Sequence, residues 1–394
     1  MLGWNAWVLF SIHARPNRCQ ELRRYGDDAT LCCQVSVVPM PVLHQRANGQ
    51  VVWIRNPFSG THTYFNNIHK KIFSFRDKPP RLSLSRPQPA APPDRLSADV
   101  LMQMAREESH CFFCPGHEDQ TTAELFRVTY GEIFAPDKIP DGLQPHHWAI
   151  RAFHNLIPRI PEACTGDRNE SYVIVEDARH YMLNARSSRD LQWSGALPLA
   201  QFVALLHANV RLVHMAYTND TVHSVLIRKN QGAESGGSQP HIHNQVIASN
   251  ALFPDIEAEM QVTAREPHIW AECVDFFRHE GWVLHEDEAL VMCWSPFGKF
   301  PRCFDVIDLA HWGPITAMAD EVIARFARAL HQVLVLFGPA ALDYEIHQGE
   351  GIPLHVHVNS RQFTYSNIGG TLNLPSDLTD KVQALRQTLQ GLAL

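Results

Sequence analysis

The sequence has no apolar run approaching the roughly 18 residues that a membrane-spanning helix needs, so it predicts no transmembrane anchor. Its opening stretch, Met1 to Ile12, is apolar but carries neither a basic leader nor a small-residue cleavage site. No signal peptide is therefore expected, and the cytoplasm is the expected compartment. An excess of basic charge is also missing: 34 lysines and arginines face 41 acidic residues, a formal net charge of −7. That argues against broad nucleic-acid binding, which needs a basic footprint, while leaving room for a small anionic substrate in a locally positive pocket. A disulfide framework is missing too. Nine cysteines is an odd number scattered over 394 residues, which suits a reducing compartment. Only Cys111 and Cys114 stand at metal-ligand spacing. What is present is a globular composition, 45% hydrophobic and 19% charged, long enough for two or three domains. The 23 histidines, several in pairs, keep metal and phosphorus chemistry in view.

Residues 1 to about 50 carry no clear period and read as an extension. Val51 to Arg55 reads as a strand, Asn56-Pro57-Phe58-Ser59-Gly60 as a turn, and Thr61 to Phe65 as the returning strand. A proline-rich connector from Pro79 to Pro93 follows, excluded from helix and central strand. From Ser109 the signals become dense: a Cys-x-x-Cys knuckle, strands at 148–153 and 172–176, an amphipathic helix between Leu197 and Tyr217, a strand at 224–228, a glycine-rich turn, and another strand. The order then recurs, with strands at 290–294 and 304–308, a helix from Ile315 to Phe337, and strands at 344–347 and 354–358. His241-x-His243 has its echo in His355-x-His357, and the strand ending at His180 has its echo in the one ending at His311. Duplication of a strand, strand, helix, strand, strand unit is the simplest explanation. The expected architecture is α+β, two halves packed as one sheet or as a pseudo-symmetric pair. The expected boundaries are 1–105 for the extension, hairpin and linker, 106–255 for the first half and 256–394 for the second.

The chemistry concentrates in Gly236-Gly237-Ser238-Gln239-Pro240-His241-Ile242-His243-Asn244-Gln245. If Val246-Ile247-Ala248 continues a strand, alternation puts His241, His243 and Gln245 on one face. Cys111 and Cys114 supply half of a tetrahedral zinc site, and strand-end histidines, His180 and His241, are the expected completion; two reduced core cysteines are the alternative. His243 then stays free. A neutral imidazole is a good nucleophile toward phosphorus, and a phosphoimidazolium passes its group to a second acceptor. Charge on the non-bridging oxygens calls for donors, which Gln245, Ser238 and the backbone N–H groups of Gly236 and Gly237 are placed to supply. An amide cannot release a proton at neutral pH, so Gln245 favours a leaving group that departs as an anion, a phosphate.

These residues resemble the galactose-1-phosphate uridylyltransferase-like branch of the histidine-triad superfamily. The resemblance rests on Cys111 through Gly116, Asn155 after Phe153-His154, the strand leading to His180, Asn230, the Gly236-to-Gln245 block, and Asn56 to Gly60 as the opening turn. It covers roughly residues 50 to 370. It implies a duplicated unit with a mostly antiparallel sheet, flanking helices and pseudo-twofold halves, and a zinc held by Cys111, Cys114, His180 and His241. It implies nucleotidylylation of His243, phosphoryl contacts from Gln245 and Ser238, nucleoside contacts near Asn155, and a homodimer. It also implies a second ion, zinc or iron, on Glu259, His347, His355 and His357, a donor set that suits such ions; vestiges of the duplicated motif are the alternative. The sequence departs from the family where two arginines would follow the hairpin, since Lys70 and Lys71 stand there as point charges. It departs again in the segment Tyr365 to Thr371 and at Asn244, where relatives often have glycine and where an altered turn is expected. The expected activity is transfer of a nucleoside monophosphate from a nucleotide sugar or dinucleoside polyphosphate to a phosphate-bearing acceptor, by a ping-pong path through His243. A hydrolase of nucleotide conjugates and a non-catalytic, zinc-stabilised nucleotide-binding protein are the alternatives. The first lacks the third histidine it would need at position 245; the altered phosphate and sugar segments keep the second open.

Overall fold

Runs of β-branched and aromatic residues set the strands, and glycine, proline and asparagine set the turns between them. The computed structural model describes residues 44–46, 51–66, 96–158, 168–295, 297, 303–361, 366–368, 371–374 and 378–391. Lys70, Lys71, the proline-rich connector, Tyr365 and most of the N-terminal extension lie outside the described residues.

The hairpin is present as β2 (Val51–Arg55) and β3 (His62–Asn66), with β1 (His44–Arg46) on the outer side of β2. Next in the chain come α1 (Ala98–Ser109), β4 (Glu124–Thr129), α2 (Tyr130–Ile133), β5 (Trp148–His154), β6 (Ser171–Val175), α3 (Leu199–Ala216), β7 (Ser224–Gln231) and β8 (His243–Ser249). After these come α4 (Pro254–Arg265), α5 (Ile269–His279), β9 (Val283–Glu286), β10 (Leu290–Trp294), β11 (Cys303–Gly313), α6 (Asp320–Phe337), β12 (Leu342–His347) and β13 (Gly349–Ser360). The described chain ends in β14 (Ser366–Ile368), β15 (Thr371–Leu374) and α7 (Leu378–Gly391).

Ten strands form one antiparallel sheet in the order β4-β5-β6-β8-β7-β12-β13-β11-β10-β9. Read from either edge, the order repeats the same pattern of the duplicated unit, and the halves meet where β7 pairs with β12, Gln231 facing Leu342 and Ile227 facing Ile346. The duplication expected from the histidine echoes is thus a single sheet with a pseudo-twofold at its middle. The smaller sheet, β1-β2-β3-β15-β14, joins the hairpin to the C-terminal segment through a parallel pairing of β3 with β15.

Strands β6 and β10 are buried at every position, so both faces of the large sheet are covered there. Helices α3 and α6 are a packed pair, and His331 Nε2 on α6 donates to the Leu197 carbonyl at 2.9 Å. By length and composition α3 could cross a membrane, but Phe202, Leu205, Leu206, Val210, Leu212 and Val213 bury its length in the core. Each such side chain contributes roughly 1.5–3 kcal/mol of transfer free energy. Helix α6 starts later than the apolar period predicts, because Ile315–Ala317 forms a separate short turn ahead of Asp320 and Glu321, whose charges suit a helix N-terminus. The sequence pattern does not predict α4, which begins at Pro254 and carries Glu259 into the second half. The altered turn expected at Asn244 is also corrected. Asn244 lies inside β8, faces Lys229 and Ile174 on the neighbouring strands, and accepts from the Tyr344 hydroxyl at 3.1 Å.

Candidate functional site

Four ligand-bearing side chains from separate parts of the first half meet just ahead of β8. Cys111 and Cys114 sit in the turn behind α1, His180 in the segment after β6, and His241 two residues before the strand. Both sulfurs lie 3.5 Å from His241 Nδ1, and Cys114 Sγ lies 3.4 Å from His180 Nδ1. All four ligand atoms fall within 4.8 Å of one another, every residue is buried, and the cluster could hold a metal ion. The Cys114 hydrogen bond, with help from both imidazoles, holds the Cys111 thiol far down, while the same contact pushes Cys114 up. His241 Nε2 donates to the Asp177 carbonyl at 2.7 Å, which turns the Nδ1 lone pair toward the sulfurs. The Asp177 carboxylate is itself held by the Tyr130 hydroxyl (2.6 Å), Gln192 Nε2 (2.8 Å) and Arg179 Nη2 (2.6 Å).

His243 opens β8. Its Nδ1 lies 2.9 Å from the His241 carbonyl oxygen, and a carbonyl only accepts, so the proton of the neutral ring sits on Nδ1 and the lone pair on Nε2. Burial lowers the imidazole pKa to about 4, the Lys229 charge adds to this, and the His241 carbonyl opposes it; the ring is neutral at pH 7. Phe113, from between the two cysteines, meets the His243 ring edge-on at 5.2 Å. On the other side of the sheet Lys229 pairs with Glu176 and lies 3.4 Å from the His243 carbonyl, while the Ser194 hydroxyl donates to Glu176 at 2.6 Å.

Gln245 shares the sheet face with His243, opposite Val173 as His243 is opposite Val175. Among the described residues its buried Oε1 has no hydrogen-bond partner. The glycine-rich turn approaches from β7: Gly236 adopts φ +82°, and a Cβ at Gly237 would lie 2.9 Å from the Gly232 carbonyl oxygen. Ser238 is exposed on this turn, and Asn230 on β7 ties it down by donating to the Ser235 carbonyl. Asn155 is not in this group. It follows β5, four residues past Arg151, the position opposite Val175, and its Oδ1 accepts from the Ile157 N–H at 3.1 Å.

The second cluster lies on the same sheet face in the other half. Glu259, from α4, is surrounded by His347 Nδ1 (2.9 Å), His355 Nε2 (3.3 Å) and His357 Nε2 (3.4 Å). The imidazole centroids are 4.9 to 5.1 Å apart, with the ring planes inclined at 71° to 83° to one another. The His355 Nε2 contact lacks hydrogen-bond geometry, so its lone pair is directed elsewhere than at the carboxylate. Burial would raise the Glu259 pKa, but the imidazoles overcome it and hold the group well below the usual range. His355 Nδ1 donates to the Pro353 carbonyl at 2.8 Å and His357 Nδ1 to Asp305 at 2.7 Å. Trp270 covers His355 at 4.6 Å, and Phe58 of the hairpin turn packs on Trp270 at 4.5 Å.

Sequence reasoning misses Asp177, Asp305, Trp270 and the Lys229–Glu176 pair. Lys229 gives no signal in the chain, because its partner lies 53 residues away and alternation alone cannot bring them together.

Residues 167–348 match the family model described as a domain of unknown function (DUF4921). A 160-residue stretch is 27% identical to the ADP-glucose phosphorylase of Arabidopsis thaliana; the match spans 39% of this chain and 42% of the relative, less than half its length. The crystal structure of an ADP-glucose phosphorylase from Arabidopsis thaliana with bound ADP-glucose superposes with a TM-score of 0.57 at 16% identity, over 90% of this chain and 100% of that one. A uridylyltransferase mutant superposes with a TM-score of 0.52 at 19% identity, over 72% of this chain and 95% of that one. The fold of this chain is therefore the one that these ADP-glucose phosphorylase and uridylyltransferase structures share, as its motifs lead one to expect.

Proposed function

We propose that this chain is a nucleotidyl-transferring phosphorylase that splits a nucleoside diphosphate sugar, ADP-glucose being the first donor to try, with a phosphate-bearing acceptor. The observation that carries the reading is the His243 tautomer. With Nδ1 bound to the His241 carbonyl, Nε2 holds the only free lone pair on a ring that opens onto the face shared with Gln245. That lone pair attacks the α-phosphorus, a P–N bond forms, and the P–O bond to the β-phosphate breaks, its electron pair leaving on the sugar phosphate. An acceptor phosphate oxygen then attacks the same phosphorus, and the P–N electron pair returns to Nε2. The amide of Gln245 and the Ser238 hydroxyl steady the phosphoryl oxygens; the Gly236 and Gly237 N–H groups expected beside them are engaged within the turn, donating to the Ala233 and Gly232 carbonyls at 2.9 and 3.2 Å. Asn155 serves the nucleoside end, Asn230 is a further substrate-binding residue through the turn it holds, and Lys70 and Lys71 supply phosphate-directed charge.

The cysteine and histidine cluster takes zinc in this reading. Legs of about 2.3 Å to sulfur and 2.05 Å to nitrogen in a tetrahedron would give sulfur–nitrogen edges of about 3.5 Å, and the Cys111–His241, Cys114–His241 and Cys114–His180 pairs stand at 3.5, 3.5 and 3.4 Å. The ion holds the segment from which β8 starts. Glu259, His347, His355 and His357 take a second ion, zinc or iron.

Intact-mass spectrometry after incubation with ADP-glucose tests the reading. A nucleoside monophosphate adduct is expected on wild type and not on His243→Asn, discharged much faster by inorganic phosphate than by water. Unmodified wild type sinks the proposal, and equal discharge by water makes the protein a hydrolase.

A further inference from the structure

One cation on the reactive face has only a distant counter-charge. Arg228 faces Gln245 across β7 and β8 and Glu345 across β7 and β12, so Gln245, Arg228 and Glu345 stand side by side on three adjacent strands. The row continues to His357, which faces Glu345, and to Asp305, which faces His357. Arg228 therefore lies between the nucleophile and the second cluster, with neighbouring Cα atoms about 5 Å apart at each step.

The guanidinium is poorly satisfied. Its Nε is buried and has no hydrogen-bond partner among the described residues, and its one ion-pair contact is a long 3.9 Å approach to Glu345 Oε1. Its side chain keeps 23% of its surface exposed. The neighbouring cations are otherwise engaged. Arg151, on the His243 row, has a buried Nη1 without a partner among the described residues as well, but it is fully buried against Glu124 Oε2 (3.1 Å), the Glu118 carbonyl (3.3 Å) and Thr121, whereas Arg228 keeps an open side. Lys229 points to the opposite face and is consumed by Glu176. A buried polar atom left without a partner demands an explanation, and an arginine fork beside a phosphoryl site has a ready one, since it matches a phosphate bidentately.

We infer that Arg228 binds the phosphate next to the one that His243 attacks: in the first half-reaction the phosphate that leaves with the sugar, and in the second the acceptor phosphate that takes its place and attacks. This rests on the function proposed above. A diagonal cross-strand neighbour lies about 7–8 Å away, within reach of a long side chain, so the guanidinium can meet a β-phosphate whose α-phosphorus is on His243. Glu345 is the counter-charge that Arg228 leaves when phosphate arrives. The ligand class is inorganic phosphate or a phosphate monoester dianion.

The test loads His243 with the nucleotide-sugar donor, removes the donor, and follows loss of the adduct by intact mass as inorganic phosphate is titrated. Arg228→Gln should raise the phosphate concentration for half-maximal discharge tenfold or more. Arg228→Lys should recover part of that loss, and Glu345→Gln should shift the concentration downward, which a general packing defect would not do. An unchanged phosphate dependence in Arg228→Gln overturns the assignment. If wild type never loads, the proposed function fails, and Arg228 is judged by calorimetric titration of inorganic phosphate instead. Binding at least tenfold weaker in Arg228→Gln then upholds the assignment, while equal affinity, or no binding to wild type, overturns it.

Discussion

His241 faces two ways: its ring Nδ1 lies 3.5 Å from the Cys111 sulfur, while its backbone carbonyl accepts the Nδ1 proton of His243 at 2.9 Å. The residue that completes the cysteine cluster thus also sets the tautomer of the candidate nucleophile. If the cluster binds an ion, removing that ion should loosen the carbonyl and the nucleophile together. Metal analysis should find the ion in wild type, and chelation should lower the melting temperature and slow His243 labelling in parallel. Cys114→Ser should do the same without chelator. Full labelling by a protein stripped of metal would break this link.

The Lys229–Glu176 pair lies behind the His243 carbonyl with 1% and 0% of its side chains exposed. Removing one partner from such a pair leaves an uncompensated buried charge and costs roughly 3–5 kcal/mol, whereas replacing both by apolar groups is often close to neutral. Urea unfolding should therefore find Lys229→Met and Glu176→Leu each strongly destabilised and the double variant closer to wild type. Additive losses would mean that the two side chains do not act as a pair. Burial lowers the Lys229 pKa, and the Glu176 carboxylate opposes that shift without cancelling it.

Much of this was legible in the chain because the signals were local. Strand β10 falls where the apolar run Leu290 to Trp294 predicts it, and α3 within one or two residues of its period. The cysteine and histidine cluster could be assembled from spacing and strand ends, although its members span 130 positions. What stayed hidden depends on register. That Arg228 faces Gln245, or that Asp305 faces His357, follows from which strands neighbour each other, and no periodicity within one strand carries that information. Helix α4 was hidden for another reason. Of its four buried residues only Ile256 and Val262 are apolar; the other two are Thr263 and the charged Glu259.

Asp305 should tune the second cluster without touching an ion. Its carboxylate holds His357 Nδ1 at 2.7 Å and so directs Nε2 toward Glu259. If the cluster binds metal, Asp305→Asn should weaken binding roughly 10–100-fold, the usual effect of losing an orienting carboxylate, and Glu259→Gln should weaken it further. Competition with a chromophoric chelator measures both. A wild type without metal affinity at this cluster would favour the reading of these histidines as relics of duplication.

Gly237 and Gly236 make a matched pair for testing how closely the turn must approach β7. At Gly237 an added Cβ would meet the Gly232 and Asn230 carbonyl oxygens at 2.9 and 3.2 Å, so the backbone has to move. At Gly236 nothing lies within 4 Å, and the penalty is conformational, because φ is +82°, a region that costs an L-residue on the order of 1 kcal/mol. Gly236→Ala should therefore reduce stability slightly and keep most of the His243 labelling rate. Gly237→Ala should displace the turn, and a misplacement of about 1 Å can cost on the order of 100-fold in rate. Equal labelling rates in the two variants would show that the turn does not position the phosphoryl group, and the donors would then have to come from Gln245 and the strand alone.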